Sequence, residues 1–192
     1  MSSQPFLEGK EVYLRPLSIS DVNENYISWL NDGEVCKYNS HHVFPYDKYQ
    51  AEEYVKKISL AKEMLILAII RKNEEKHIGN VALQKIDLLN SNAEFAILLG
   101  DKNYWGRGIA KEASLLVMNH GFLELNLHRI YCGTAAENIA MRKLAAFLGM
   151  SEEGRKKEAQ FKNGKYNDII EYGVLKDDFL NKQRFYIARY II

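Results

Sequence analysis

Tyr104-Trp105-Gly106-Arg107-Gly108-Ile109-Ala110-Lys111 is the stretch on which the reading of this chain turns. It follows an apolar strand ending near Leu99, through Gly100-Asp101-Lys102-Asn103, and it runs directly into a helix. Two glycines one residue apart let a ligand approach the backbone closely, and the first turn of a helix offers unpaired N–H groups with partial positive charge. That combination suits a phosphate. A simple strand-to-helix turn uses glycines in the same way, so the segment alone leaves the two readings about even. It is not a dinucleotide fingerprint, which needs G-x-G-x-x-G and a later acid, nor a G-K-[ST] nucleotide loop.

Working outward, Ile109, Ala113, Leu116, Val117 and His120 recur at helical spacing, which predicts a helix from Gly108 to Leu125. Upstream, Met64–Ile70 and Ile78–Ile86 are apolar or β-branched runs joined by a charged turn, followed by a strand at Ala93–Leu99. Further back, Val12-Tyr13-Leu14-Arg15-Pro16 reads as a strand. Ser20 is expected to cap a helix carrying Val22, Tyr26, Trp29 and Leu30, and a second helix is expected at about Asp47–Ala61. The loop between these helices holds Tyr38, Asn39, His41, His42 and Tyr46, which either meet a substrate or lie in solvent. Downstream come a strand at Arg129–Thr134, a helix at Asn138–Leu148 ended by Gly149, and strands at Glu153–Phe161 and Lys165–Leu175. Asn163-Gly164 joins this last pair, since both positions of a tight hairpin turn need positive φ. The order predicts an α+β (mixed α/β) fold on a mostly antiparallel sheet.

With 26 basic against 25 acidic side chains the net charge is only +1, so no electrostatic drive toward nucleic acid or an anionic membrane is expected. Cys36 and Cys132 are too far apart for a C-x-x-C motif, which argues against zinc and against a disulfide framework. A cytoplasmic protein is expected, with neither a leader nor an apolar run of spanning length. The 192 residues are read as one domain with its core at about 10–176 and a C-terminal extension at 177–192. The apolar side chains Phe185, Tyr186, Ile187, Tyr190, Ile191 and Ile192 in that tail suit packing on the domain or on a second copy, as in a homodimer. Neither His77, His120 nor His128 has the spacing of a metal ligand, and no metal is expected.

In this setting the loop resembles motif A of the GNAT superfamily of acetyl-CoA-dependent N-acetyltransferases, Q/R-x-x-G-x-G/A. The motif falls on Trp105, Gly106, Arg107, Gly108, Ile109 and Ala110, with Trp105 where Gln or Arg is usual. Trp-Gly-x-Gly is familiar in the RimJ/RimL-like branch, related to ribosomal-protein N-terminal acetyltransferases. Resemblance to that branch extends to Ala-Glu-Phe-Ala-Ile-Leu-Leu-Gly-Asp at 93–101, Glu-Asn-Ile-Ala-Met-Arg-Lys-Leu at 137–144, Asn-Gly-Lys-Tyr-Asn-Asp at 163–168 and Trp-Leu-Asn-Asp at 29–32. It covers about residues 10–176.

The resemblance implies the GNAT fold, in which splayed strands form the cleft for acetyl-CoA, the cosubstrate. It implies that the backbone at Ile97, Leu98 and Leu99 binds the pantetheine arm as an added strand, and that Trp105 through Lys111 hold the pyrophosphate. Asn138 matches an asparagine that contacts coenzyme A, and is equally a plain helix cap. Glu94 matches a carboxylate that serves as general base, and is equally a solvated or ion-paired strand residue. A tyrosine expected seven residues after Asn138, to protonate the leaving thiolate, is replaced by Ala145. Tyr38, Tyr104, Tyr131 and Cys132 remain as candidates for that acid. The basic run Arg155-Lys156-Lys157 is either a solvated strand end or a contact for the coenzyme's 3′-phosphate.

The expected reaction is transfer of acetyl to a primary amine by direct attack, with a protein N-terminus or a small amine as acceptor. An amino sugar of a surface-polysaccharide pathway is an alternative, and a coenzyme A-binding module with little catalysis is a second class. The motifs identify the donor and not the acceptor.

Overall fold

The computed structural model describes residues 4–190, so Ile191 and Ile192 of the apolar tail lie outside the described residues. Among the described residues eight strands form one sheet in the order β1-β2-β3-β4-β5-β6-β8-β7. They are β1 (Leu7–Glu8), β2 (Val12–Pro16), β3 (Met64–Arg71), β4 (Lys76–Asp87), β5 (Asn92–Leu99), β6 (Arg129–Ala135), β7 (Ser151–Lys162) and β8 (Lys165–Leu175). Every neighbouring pair is antiparallel except β5 and β6.

Helices cover both faces, as strand alternation requires. Leu14, Leu67, Ile69, Val81, Leu83 and Phe95 point to one face, where they are buried under α3 (Ile109–Leu123), α4 (Ile139–Phe147) and α5 (Lys176–Tyr190). Tyr13, Ala68 and Ile70 point to the other, against Tyr26, Trp29 and Leu30 of α1 (Glu24–Asn31) and Val55 of α2 (Lys48–Ile58). Helix α3 is buried nearly all round, from Ile109 to Phe122, and is the central support of the first face.

Several local readings are borne out by capping and turn geometry. Asp47 caps α2 by accepting from Gln50 N at 2.8 Å, while Gln50 Oε1 accepts from Asp47 N at 3.1 Å, a reciprocal capping box. Asn163 and Gly164 both have positive φ, +52° and +75°, and close the β7–β8 hairpin.

One cap reading needs correction. The cap of α1 is Asn23, whose side chain accepts from Tyr26 N at 3.1 Å, and not Ser20. Ser20 belongs to a separate 3₁₀ turn, Ile19–Asp21, locked by Asp21 Oδ2 accepting from Ser18 N at 2.8 Å. The C-terminal extension is largely a helix, α5, docked on the domain through Phe179, whose ring lies 5.0 Å from that of Phe122. Phe185 of the same helix stays exposed.

Candidate active site

The site starts where β5 and β6 part. They pair in parallel at only three positions, Asn92 with Arg129, Ala93 with Ile130 and Glu94 with Tyr131. Beyond Glu94, β5 keeps its pairing with β4 as far as Leu99, while β6 keeps its pairing with β8 as far as Ala135. Gly79 helps β5 stay with β4, since a Cβ there would come within 2.4 Å of the Leu98 carbonyl oxygen. Among the described residues the edge of β5 from Phe95 to Leu99 therefore has no strand beside it, and such an edge can accept an extended ligand as an added strand. Ile97, Leu98 and Leu99 all lie on this edge. Ile97 and Leu99 pack toward α3, and Leu98 toward α1 and α2.

The glycine loop stands at the far end of that edge. Gly106 and Gly108 have φ of +72° and +82°, the left-handed region that other residues enter at a cost. A Cβ on either would meet nothing within 4 Å, so both face open space. The backbone N–H groups from Gly106 to Ala110 find no acceptor among the described residues, and Gly108 is the N-cap of α3. Together they form a concave set of donors at a positive helix end.

Side chains hold this loop from several directions. Trp105 Nε1 donates to Leu99 O at 2.8 Å, which ties the loop to the last residue of β5. Tyr104 is buried, and its hydroxyl donates to Glu74 Oε2 at 2.6 Å in the β3–β4 turn. Under the first turn of α3, the buried Glu112 carboxylate accepts from Glu11 N at 2.7 Å and Val12 N at 3.1 Å, fastening the helix to β2. The cations nearest the loop rest on aromatic faces, Arg107 5.8 Å from the Tyr104 ring centre and Lys111 4.6 Å from that of Phe147.

Glu94 sits at the root of the opening. By strand alternation it shares the face of Leu98 and thus of α1 and α2, and Tyr131 is its register partner across the parallel pair. Lys85 Nζ lies 2.7 Å from Glu94 Oε2, an ion pair that the sequence reading anticipated only as an unspecified partner. Cys132, next to Tyr131, is buried with Sγ 3.5 Å from Met150 Sδ. Burial, with Glu94 adding to it, pushes the Cys132 thiol up to about 12, so it holds its proton and is a weak acid. Ala145 is fully buried in the core, and nothing at that position reaches the opening. Asn138 caps α4, accepting from Met141 N at 3.1 Å.

The loop between α1 and α2 is braced at two places. Near its start, Lys102 contacts Asp32 at 2.8 Å and Glu34 at 2.9 Å, and the Lys102 ammonium helps hold the Asp32 carboxyl at about 2. Farther along, Gln160 Nε2 donates to Tyr38 O at 3.2 Å and the Lys162 ammonium donates to His41 O, both from the end of β7. Lys102 follows β5 and Gln160 belongs to the β6–β8–β7 half of the sheet, so the loop spans the two arms that part at Glu94. Burial, with Lys162 adding, lowers the His41 pKa, which favours the neutral ring. His42 lies against Gly33, and Tyr46 exchanges hydrogen bonds of 2.8 and 2.7 Å with Asn31.

Arg155 and Lys156 pair with Asp168 and Glu171 of β8 on the exposed side of the hairpin, which fits the solvated-strand reading of that basic run. Among the described residues no three His, Cys, Asp or Glu side chains gather in a way that could hold a metal ion. Nor is any helix among them long and apolar enough to cross a membrane. Lys85, Gln160 and Lys162 did not stand out in the sequence. The first depends on a bulge and the others on a contact more than a hundred residues away in the chain.

Comparison with known proteins agrees with this geometry. Residues 11–151 match the model of the acetyltransferase (GNAT) domain. The chain is 31% identical over 170 residues to the uncharacterized N-acetyltransferase p20 of Bacillus licheniformis, covering 86% of this chain and 93% of that protein. It is 30% identical over 176 residues to spermidine N(1)-acetyltransferase of Escherichia coli K12, with 90% of each covered. The crystal structure of spermidine N-acetyltransferase from Vibrio cholerae in complex with CoA and spermine superposes with a TM-score of 0.81 at 27% identity. That match covers 89% of this chain and 99% of that one. The open edge of β5, the donor-lined glycine loop and these matches agree: the chain belongs to the GNAT family and is an acetyl-CoA-dependent N-acetyltransferase.

Proposed function

We propose that the enzyme transfers acetyl directly to the primary amine of a small molecule, with polyamines as the acceptor class. The observation that carries this reading is the parting of β5 from β6 immediately after Glu94 and Tyr131. It leaves a free strand edge with a carboxylate at its root. Support for the acceptor class comes from the relatives named as spermidine acetyltransferases.

In this reading the backbone of Ile97, Leu98 and Leu99 pairs with the pantetheine arm. The N–H groups of Gly106, Arg107, Gly108, Ile109 and Ala110 grip the pyrophosphate, with Trp105 fixing the loop and the Lys111 side chain adding charge. Asn138 touches the coenzyme from the start of α4 in addition to capping it. Acetyl-CoA supplies a thioester carbonyl that only an uncharged amine can attack. Glu94 accepts the proton of the amine, directly or through water. For the acid, Tyr104 is committed to Glu74 and Cys132 keeps its proton, which leaves Tyr38 and Tyr131, and Tyr131 is the favoured donor to the thiolate because it is the register partner of Glu94. A place in the RimJ/RimL-like branch, a cytoplasmic location and a homodimer using the exposed face of α5 belong to the same proposal.

Thiol release from acetyl-CoA, followed with spermidine, spermine, an amino-sugar nucleotide and a peptide bearing a free α-amine, tests the acceptor class. Turnover highest on the polyamines supports it. Turnover confined to the peptide or the amino sugar overturns it.

A further inference from the structure

The ion partner of Glu94 is itself a primary amine. Across β4 and β5, Gln84 is in register with Glu94 and pairing resumes only at Asp87 with Asn92, so Lys85 and Ile86 form a bulge. On a regular strand Lys85 would point to the face opposite Gln84 and Glu94. Its φ of +51° breaks the alternation and brings the ammonium back to the Glu94 side. Bulges beside active sites commonly re-aim a side chain in this way. Lys85 Nζ rests 2.7 Å from Glu94 Oε2, while 69% of its side chain is exposed, so the four-carbon arm has room to move.

We propose that Lys85 is an acetylation site of the enzyme itself, modified within the same chain by the acetyl-CoA held along β5. The proposal rests on the reading of Glu94 as the base. Glu94 takes a proton from the Lys85 ammonium, and the freed Nζ lone pair attacks the thioester carbonyl carbon. The new N–C bond forms as the C–S bond breaks, the thiolate leaves with the bonding pair, and it takes up the second proton that Nζ sheds in becoming an amide nitrogen. A tethered amine beside the base need not be captured from solution, so it competes with free amines. Acetylation removes the Lys85 charge, so the ion pair with Glu94 is lost and the acceptor side gains one net negative charge. That change favours cationic acceptors.

Incubating the purified full chain with acetyl-CoA and no acceptor, then mapping peptides by mass, tests the proposal. The expected result is one acetyl group on Lys85, gained at a rate independent of protein concentration. That rate should be at least about tenfold above the rates at the exposed Lys10 and Lys57, and lower in Glu94→Gln. Labelling of Lys85 no faster than those two lysines, or equally fast in urea-unfolded chain, overturns it. Spermidine turnover measured on the same samples separates the two readings. Spermidine turnover that depends on Glu94, without Lys85 labelling, sinks self-acetylation alone; spermidine turnover equally fast in Glu94→Gln, without Lys85 labelling, sinks the assignment of the base as well.

Discussion

Trp105 and Leu99 are joined by a hydrogen bond of 2.8 Å from the indole Nε1–H to the main-chain carbonyl. The bond links the two parts of the donor site, since Leu99 ends the free strand edge and Trp105 opens the glycine loop. It also gives a purpose to the residue that departs from the family's first motif position. An exposed neutral hydrogen bond contributes about 1 kcal/mol. Trp105→Phe is therefore expected to raise KM for acetyl-CoA roughly fivefold while leaving kcat nearly unchanged. Steady-state kinetics at saturating acceptor checks this, and an unchanged KM counts against the link.

Gly108 is a second point of sensitivity. Its φ of +82° costs a non-glycine residue about 1–2 kcal/mol, and a valine side chain would occupy the open space in front of the unpaired N–H groups. Gly108→Val should lose coenzyme A binding by calorimetry while its circular dichroism remains that of a folded protein. Retained affinity would mean that the loop does not hold the pyrophosphate.

Glu112 tests the support beneath the loop. Glu112→Ala strips the acceptor from the N–H groups of Glu11 and Val12, and a buried donor left unpaired costs about 1–3 kcal/mol. A drop of that size in urea-unfolding stability is expected, larger than for Glu112→Gln, which keeps an acceptor oxygen.

Cys132 gives a pH prediction. Its folded pKa is raised from 9.0 to about 12, so the fold retains a proton that the unfolded chain releases earlier. The stability this burial supports is fully present below pH 9 and is lost as pH rises from there toward 12. Chemical denaturation across that range should show the decline, and Cys132→Ser should flatten it. Cys36 and Cys132 are both buried, so a thiol reagent should find little to react with until denaturant is added.

The parts of this molecule that local rules control were legible in the sequence. Gly106, Gly108, Asn163 and Gly164 occupy positive-φ positions, and a sequence can announce those because few residues tolerate them. The apolar runs of β3, β4, β5 and α3 announced themselves by period. Less legible were features set by competition or by distance. Ser20 and Asn23 are both good caps three residues apart, and only the Ser18–Asp21 turn decides between them. Helix α5 opens with Lys176-Asp177-Asp178 and buries few side chains, so its period was faint beside its exposed aromatics. Within the site, Tyr104 looked like a candidate acid because the sequence does not show that Glu74 takes its hydroxyl. Lys85 was invisible because a bulge places it where alternation would not.

Tyr131 bears on how the thiolate is protonated. Tyr131→Phe should lower kcat on spermidine by about tenfold or more and leave coenzyme A affinity unchanged, as expected for a group that acts on the leaving sulfur. Equal kcat in the two proteins would remove Tyr131 from the reaction and return attention to Tyr38.

The central claim is that Glu94, where β5 and β6 part, is the base for amine acetylation. The measurement that tests it most directly is kcat/KM for spermidine as a function of pH in the wild-type enzyme and in Glu94→Gln. A base acting in the transition state is worth about 10²–10⁴ in rate, so the variant should fall by that factor at neutral pH with its KM for acetyl-CoA unchanged. The deficit should shrink as pH rises and the acceptor loses its own proton. Equal kcat/KM in the two proteins across the pH range would contradict the account.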